Sequence, residues 1–215
     1  MVNQVAKPAP TRWVTWQLVA PPLILAALSW LAWASRSGLA GWEISLFNWI
    51  NHWPAWLVGL MALITMLGTW QFAVLAVVGC LVAGRKALAW RIGLAALLAG
   101  LLSVSLKIAV NRPRPLGLLP DTITRWPDLL QDQGFPSGHS ATAAAVAVAI
   151  LLCLPAARRR TWFWLLAMLP LAVGLSRIYL GVHLPLDVLG GWAVGWLAAG
   201  IAQLAFGCQS KRFWL

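Results

Sequence analysis

Charge is scarce in this chain. Charged residues make up 10% of its 215 residues and apolar residues 61%, against roughly 25% and 45–50% in soluble domains. That balance excludes an ordinary water-soluble fold and makes a bilayer the natural solvent. Carboxylates are rarer still. Glu43, Asp121, Asp128, Asp132 and Asp187 are all there are, and they form no cluster that would coordinate magnesium, so a metal-dependent centre is poorly supported. Cys80, Cys153 and Cys208 lie in or at the end of apolar segments, without C-x-x-C spacing or obvious pairing partners. This argues against a zinc site or a disulfide framework and leaves them as small buried hydrophobes. Also missing are internal repeats, low-complexity tracts and any polar block large enough to fold separately, so one domain over 1–215 is expected.

What the chain has is apolar runs of helix-spanning length. They predict helices at about 14–35, 54–83, 88–110, 139–156, 161–179 and 186–207, each close to the roughly 20 residues that cross a bilayer. None alternates with the period of barrel strands, and only helices or closed barrels satisfy a backbone in hydrocarbon. The expected fold class is therefore all-α, a polytopic membrane protein with six transmembrane helices. Sixteen tryptophans support spans rather than a soluble core. Most lie near the ends of the runs, as do Trp13, Trp16, Trp53, Trp56, Trp90 and Trp162, where amphipathic rings settle at headgroup depth. Ala32-Trp33-Ala34 superficially resembles a signal cleavage site, but the run before it is long enough to span. Helix four carries small residues from Ser140 to Ala149, and helix six has Gly191 and Gly195 at small-xxx-small spacing, the pattern of close helix packing. The Pro113 to Pro136 segment cannot be one helix and suits an interfacial loop.

The formal charge of +11 forms no long basic stripe of the kind that binds nucleic acid. It marks membrane topology instead. Lys7 and Arg12, then Arg85, Lys86 and Arg91, then Arg158, Arg159 and Arg160, and finally Lys211 and Arg212 fall on one side. By the positive-inside rule both termini are cytoplasmic, and connections 36–53, 111–138 and 180–185 face outward. Arg112, Arg114 and Arg125 break the rule within the second outer connection, and Arg177 lies just before the third. An anionic ligand would account for such exceptions.

Three short patterns carry candidate chemistry. Lys107 followed by Arg114-Pro115 is weak alone, since a lysine at a helix end commonly snorkels to headgroups. Pro136-Ser137-Gly138-His139 opens helix four. Ser137 would be an ordinary cap there, or its hydroxyl and the nearby amides would cradle a phosphate at the positive end of the helix dipole. Ser176-Arg177, His183 and Asp187 span the end of helix five, a short outer turn and the start of helix six. Pro185 suits the first turn, where Asp187 would be a favourable carboxylate and His183 a loop residue at headgroup level. His52 lies outside all three and receives no role.

Taken in order, K-x6-R-P, P-S-G-H and S-R-x5-H-x3-D over residues 107–187 closely resemble the type 2 phosphatidic acid phosphatase (PAP2) family. That family shares its catalytic core with bacterial acid phosphatases and vanadium haloperoxidases. The resemblance implies a metal-independent lipid phosphatase in the bacterial inner membrane, without a cofactor, its active site facing the periplasm. It makes His183 the nucleophile that forms a phosphohistidine and Asp187 the acceptor that fixes its tautomer. His139 becomes the acid for the leaving oxygen and the base for water. Lys107, Arg114, Arg177, Ser137 and the Gly138 amide become the phosphate-binding set. Bacterial members of the resembling family act on undecaprenyl pyrophosphate, phosphatidylglycerol phosphate, phosphatidic acid or lipid A phosphates. An outward site suits undecaprenyl pyrophosphate best. Phosphotransfer to a lipid hydroxyl is a second reading, and a non-catalytic lipid or anion transporter a third. Haloperoxidase activity is disfavoured because it belongs to soluble proteins. The partners expected are the bilayer and a lipid phosphate, with no nucleic acid.

Overall fold

The computed structural model describes residues 12–126 and 133–206, and among these there are helices, turns and connections but no strand. The helices are α1 (Arg12–Ala34), α2 (Gly41–Asn51), α3 (Val58–Met66), α4 (Trp70–Val82), α5 (Lys86–Val110), α6 (Pro115–Leu118), α7 (Gly138–Cys153), α8 (Ala156–Tyr179) and α9 (Pro185–Ala205). A 3-10 turn at Ala55–Leu57 leads into α3. Cys208, Asp128 and Asp132, and the terminal basic residues Lys7, Lys211 and Arg212, lie outside the described residues. Cys80 and Cys153 pack in the apolar core as expected of small hydrophobes.

All six expected segments are helical, but the second is broken. The run 54–83 divides into α3 and α4, which meet at 52°. The break has a local cause and a packing cause. Thr69 accepts a hydrogen bond at its Oγ1 from the amide of Phe72 (3.3 Å) and donates to the carbonyl of Met66 (2.8 Å), capping α4 and closing α3. Beside it, a Cβ on Gly68 would stand 2.7 Å from the carbonyl oxygen of His139 and 2.7 Å from Val173. The chain turns where glycine lets it press onto α7 and α8. By length and apolar composition, α5 continued to Leu118, α8 and α9 can cross a membrane, and the bent α3–α4 pair makes up to four such spans. The 16-residue α7 and the Val19–Ala34 part of α1 are shorter apolar helices.

The connection after α1 holds a helix that hydropathy alone did not indicate. In α2, Glu43, Phe47, Ile50 and Asn51 face inward while Trp42, Leu46 and Trp49 are exposed. Among its described residues, the segment after α5 is the non-helical connection expected there, apart from the single turn of α6.

Helix α7 sits at the centre, against α4, α5, α8 and α9, with its most extensive contact to α9. Small residues permit this. A Cβ on Gly195 would lie 2.4 Å from the Ala141 carbonyl oxygen, and one on Gly191 would lie 2.5 Å from that of Ser137. The two backbones therefore approach closely along one seam, and the start of α7 is held against the start of α9. Gly195→Ala must displace backbone and is expected to destabilise by about 1–3 kcal/mol. Gly79→Ala meets no atom within 4 Å and should be neutral or gain up to about 1 kcal/mol from helix propensity. Thermal unfolding in detergent checks the pair: a midpoint lowered only by Gly195→Ala is the expected result.

Candidate active site

The turn between α8 and α9 is built from short-range rules. Helix α8 ends as Gly181 takes a left-handed conformation (φ +76°), where a Cβ would also stand 2.4 Å from the Ile123 carbonyl oxygen. Pro185 then starts α9, preceded by Leu184, whose amide donates to Asp187 Oδ2 at 2.9 Å. Asp187 thus satisfies one of the open amides of the helix start. The same Oδ2 lies 3.6 Å from His183 Nδ1. Both residues are buried, His183 at 2% exposure and Asp187 at 0%. Nδ1 faces the carboxylate beyond hydrogen-bond length and has no hydrogen-bond partner among the described residues.

Two further segments converge on this turn. Helix α5 ends at Asn111, in a left-handed conformation (φ 49°), and directs Arg112-Pro113-Arg114 back across the bundle. Arg114 Nη1 donates to the Val182 carbonyl at 3.1 Å, one residue from the histidine. Lys107, in the last turn of α5, donates to the Gln133 carbonyl. Arg177, in the last turn of α8, is buried and donates from Nη1 to Thr65 Oγ1 at 3.1 Å. Ser137 caps α7, accepting from the Ser140 amide (3.4 Å) and hydroxyl (3.0 Å), and its own amide donates to the Asp187 carbonyl at 2.9 Å. A Cβ on Gly138 would meet nothing within 4 Å, so there is open space beside the start of α7.

Electrostatics tie these groups together. Burial, followed by the nearby positive charges of Arg177, Arg114 and Lys107 and the field of His139, holds the His183 imidazole well below its usual 6.5. Its resting form at neutral pH is therefore uncharged. Arg177, Arg114, Lys107 and His139 all act electrostatically on His183, and Lys107 acts on Asp187 as well, with Ser137 hydrogen-bonded to Asp187 at the adjoining helix start. No group of three or more His, Cys, Asp or Glu that could hold a metal occurs among the described residues.

Two residues given no site role by the sequence belong to this centre. Arg112 is fully buried. Its Nη2 pairs with Glu43 Oε2 at 2.6 Å, and its Nη1 donates to Glu43 Oε1 at 3.1 Å and to Asp187 Oδ1 at 2.9 Å. Glu43 Oε1 also accepts from the Leu186 amide at 3.0 Å. The expectation that the outer arginines answer to an anionic ligand is corrected here for Arg112 and Arg125. Arg112 is engaged by two carboxylates. Arg125 Nη1 donates to the carbonyls of Asn51 (2.6 Å) and Tyr179 (2.9 Å), and its guanidinium lies 4.4 Å from the centre of the Tyr179 ring. The one signal available was Glu43 itself, the only glutamate in the chain, set in an apolar segment where a carboxylate needs a partner. His52 is exposed and bonds back to the Asn48 carbonyl, consistent with its having no place in the site.

Arg177→Gln should raise the His183 pKa, because removing a neighbouring cation eases protonation of the ring, but only part of the way, since burial is the larger cause. Imidazole NMR of nitrogen-labelled protein in detergent checks this, with His183→Gln to assign the signal. An unmoved titration would contradict the arrangement.

Known proteins share this organisation. A family model described as the PAP2 superfamily matches residues 88–212. The undecaprenyl-diphosphatase of Sulfolobus acidocaldarius is 30% identical over 165 residues, covering 74% of this chain and 76% of that protein. Among solved structures, Aquifex aeolicus LpxE superposes with a TM-score of 0.67 at 29% identity, covering 79% of this chain and 98% of that one. A transmembrane PAP2-type phosphatidylglycerolphosphate phosphatase from Bacillus subtilis gives 0.64 at 27% identity, covering 92% and 99%. The sequence match across more than half the chain and the shared helical fold identify it as a member of the PAP2 superfamily, a membrane lipid phosphatase.

Proposed function

We propose that this phosphatase hydrolyses a lipid pyrophosphate through a phosphohistidine on His183, with undecaprenyl pyrophosphate as the substrate and its monophosphate as the product. The observation that carries the mechanism is the neutral, buried His183, with Nδ1 facing Asp187 and the charges of Arg177, Arg114 and Lys107 acting on its ring. In the first step the Nε2 lone pair forms a bond to phosphorus as the bond to the leaving oxygen breaks. The electron pair stays on that oxygen, which takes a proton from His139. In the second step His139 takes a proton from water, the water oxygen bonds to phosphorus, and the pair in the N–P bond returns to His183. Lys107, Arg114, Arg177, Ser137 and the Gly138 amide hold the equatorial oxygens, and this positioning and charge stabilisation dominate phosphoryl transfer.

The site lies at the ends of membrane helices, which suits an amphiphile whose phosphate stays at the interface while its chains remain in the bilayer. In this reading the chain is a single six-span domain with both termini cytoplasmic and the site outside, the orientation that its basic residues favour. The undecaprenyl assignment is supported by that topology and by the relative of the same name that matches about three quarters of the chain. The Bacillus phosphatase structure, aligned over 92% of this chain, supports phosphatidylglycerol phosphate as the second substrate to try.

Phosphate release from purified protein on undecaprenyl pyrophosphate, phosphatidylglycerol phosphate, phosphatidic acid and lipid A tests the assignment, with and without chelator. Turnover should be fastest on the first and unaffected by chelation. Label passing to an acceptor lipid in place of free phosphate would indicate a phosphotransferase. His183→Ala should lose roughly a thousandfold or more in turnover, and His139→Ala about a hundredfold to ten-thousandfold. A His183→Ala protein that still functions would favour a transporter. Labelled phosphate should remain on the parent enzyme after an alkaline quench, and not on His183→Ala.

A further inference from the structure

Arg112 poses a problem for the catalytic pair. Asp187 would serve His183 by presenting a negative charge to a ring that becomes positive as phosphorus bonds to Nε2. Yet Asp187 Oδ1 is held at 2.9 Å by a fully buried guanidinium. In a site closed to water such a contact is only weakly screened. Paired with Arg112 alone, Asp187 would form a neutral couple, and the histidine would face little net charge among cations that already disfavour its positive form.

Glu43 changes this balance. It grips the far side of Arg112 through both carboxylate oxygens, at 2.6 and 3.1 Å, and is itself 1% exposed. Two carboxylates around one guanidinium leave the cluster with a net negative charge, and Asp187 is the member that reaches His183. The geometry also fixes where that charge sits. Glu43 Oε1 accepts from the Leu186 amide at 3.0 Å, Asp187 Oδ2 accepts from the Leu184 amide at 2.9 Å, and Arg112 spans the two carboxylates. The first turn of α9 is thus held by α2 from one side and by the connection after α5 from the other.

We infer that Glu43 is a positioning residue for the phosphatase reaction: it offsets the charge of Arg112, so that Asp187 keeps a net negative charge for His183. This rests on the reading of His183 as the nucleophile. It separates two roles for the outer arginines: Arg114 and Arg177 meet the substrate's charge, and Arg112 orders the carboxylates behind the nucleophile.

The experiment is a double-mutant cycle on the full-length protein in detergent, with E43Q, R112Q and E43Q/R112Q, followed by phosphate release from undecaprenyl pyrophosphate and phosphatidic acid. E43Q leaves a neutral cluster, and kcat should fall about tenfold or more while KM stays within about threefold. R112Q leaves two facing carboxylates and should be the worst single variant. The double variant restores a single negative charge on Asp187, so its kcat should exceed that of both single variants. A purely structural role predicts the reverse, a double variant no better than E43Q, and that result overturns the inference, as does an E43Q protein with the parent's kcat. If E43Q does not fold, the double variant decides alone. Turnover within about tenfold of the parent sustains the charge balance, and turnover as low as that of Asp187→Asn overturns it. His183→Ala run alongside keeps the premise separate. An active His183→Ala sinks the nucleophile and the inference with it, whereas an inactive one beside an unimpaired E43Q removes only the charge balance.

Discussion

Arg112 lies out of contact with water and divides its guanidinium between Glu43 and Asp187. Three segments far apart in sequence meet at that point: α2, the connection after α5, and the first turn of α9. A buried ion requires this kind of closure. Withdrawing a charge from water costs several kcal/mol, and removing one partner of a buried pair typically costs about 3–5 kcal/mol because the other is left unmatched. The network is therefore better read as a device that fixes geometry than as a source of net stability. Each carboxylate also accepts a backbone amide at the start of α9, so the helix that carries Asp187 enters the bundle at one defined place.

The apolar packing serves the same end. Glycines on α9 let its backbone approach that of α7, and the Ser137 amide reaches the Asp187 carbonyl across the seam. The open helix start of α7 is thereby set beside the histidine. Gly68 does the equivalent on the other side of α7, where the bend between α3 and α4 presses against His139. Thr65, one turn before that bend, reaches Arg177. A helix bundle with few polar groups positions its charged residues through the places where it has no side chain at all.

Outside this centre many large apolar side chains are exposed, tryptophans Trp30, Trp49, Trp70 and Trp90 among them, as expected where lipid replaces water. Helix α2 combines both environments. It shows Trp42, Leu46 and Trp49 outward and places Glu43 inward, linking the apolar surface of the bundle to Asp187 through Arg112.

The sequence by itself determined the class of fold and the family. Long apolar runs in a chain with so little charge leave helices in a bilayer as the workable solution, and three motifs with fixed spacing carry the likeness to the PAP2 family. Local rules also set the approach to His183 and Asp187, because Gly181, Pro185 and the capping carboxylate act over a few residues. The tertiary structure decided what depends on partners distant in the chain. Hydropathy read 54–83 as one run, since a glycine bend driven by contact with α7 leaves no mark on apolar content. It also passed over α2, whose apolar face is short. Arg112 and Arg125 broke the charge rule as Arg114 and Arg177 did, but lay outside the motifs and so had no assigned role. Only the fold shows that Arg112 is held by two carboxylates and Arg125 by two carbonyls and a tyrosine ring, while Arg114 and Arg177 act electrostatically on His183. A charge does not declare its partner until the chain has closed around it.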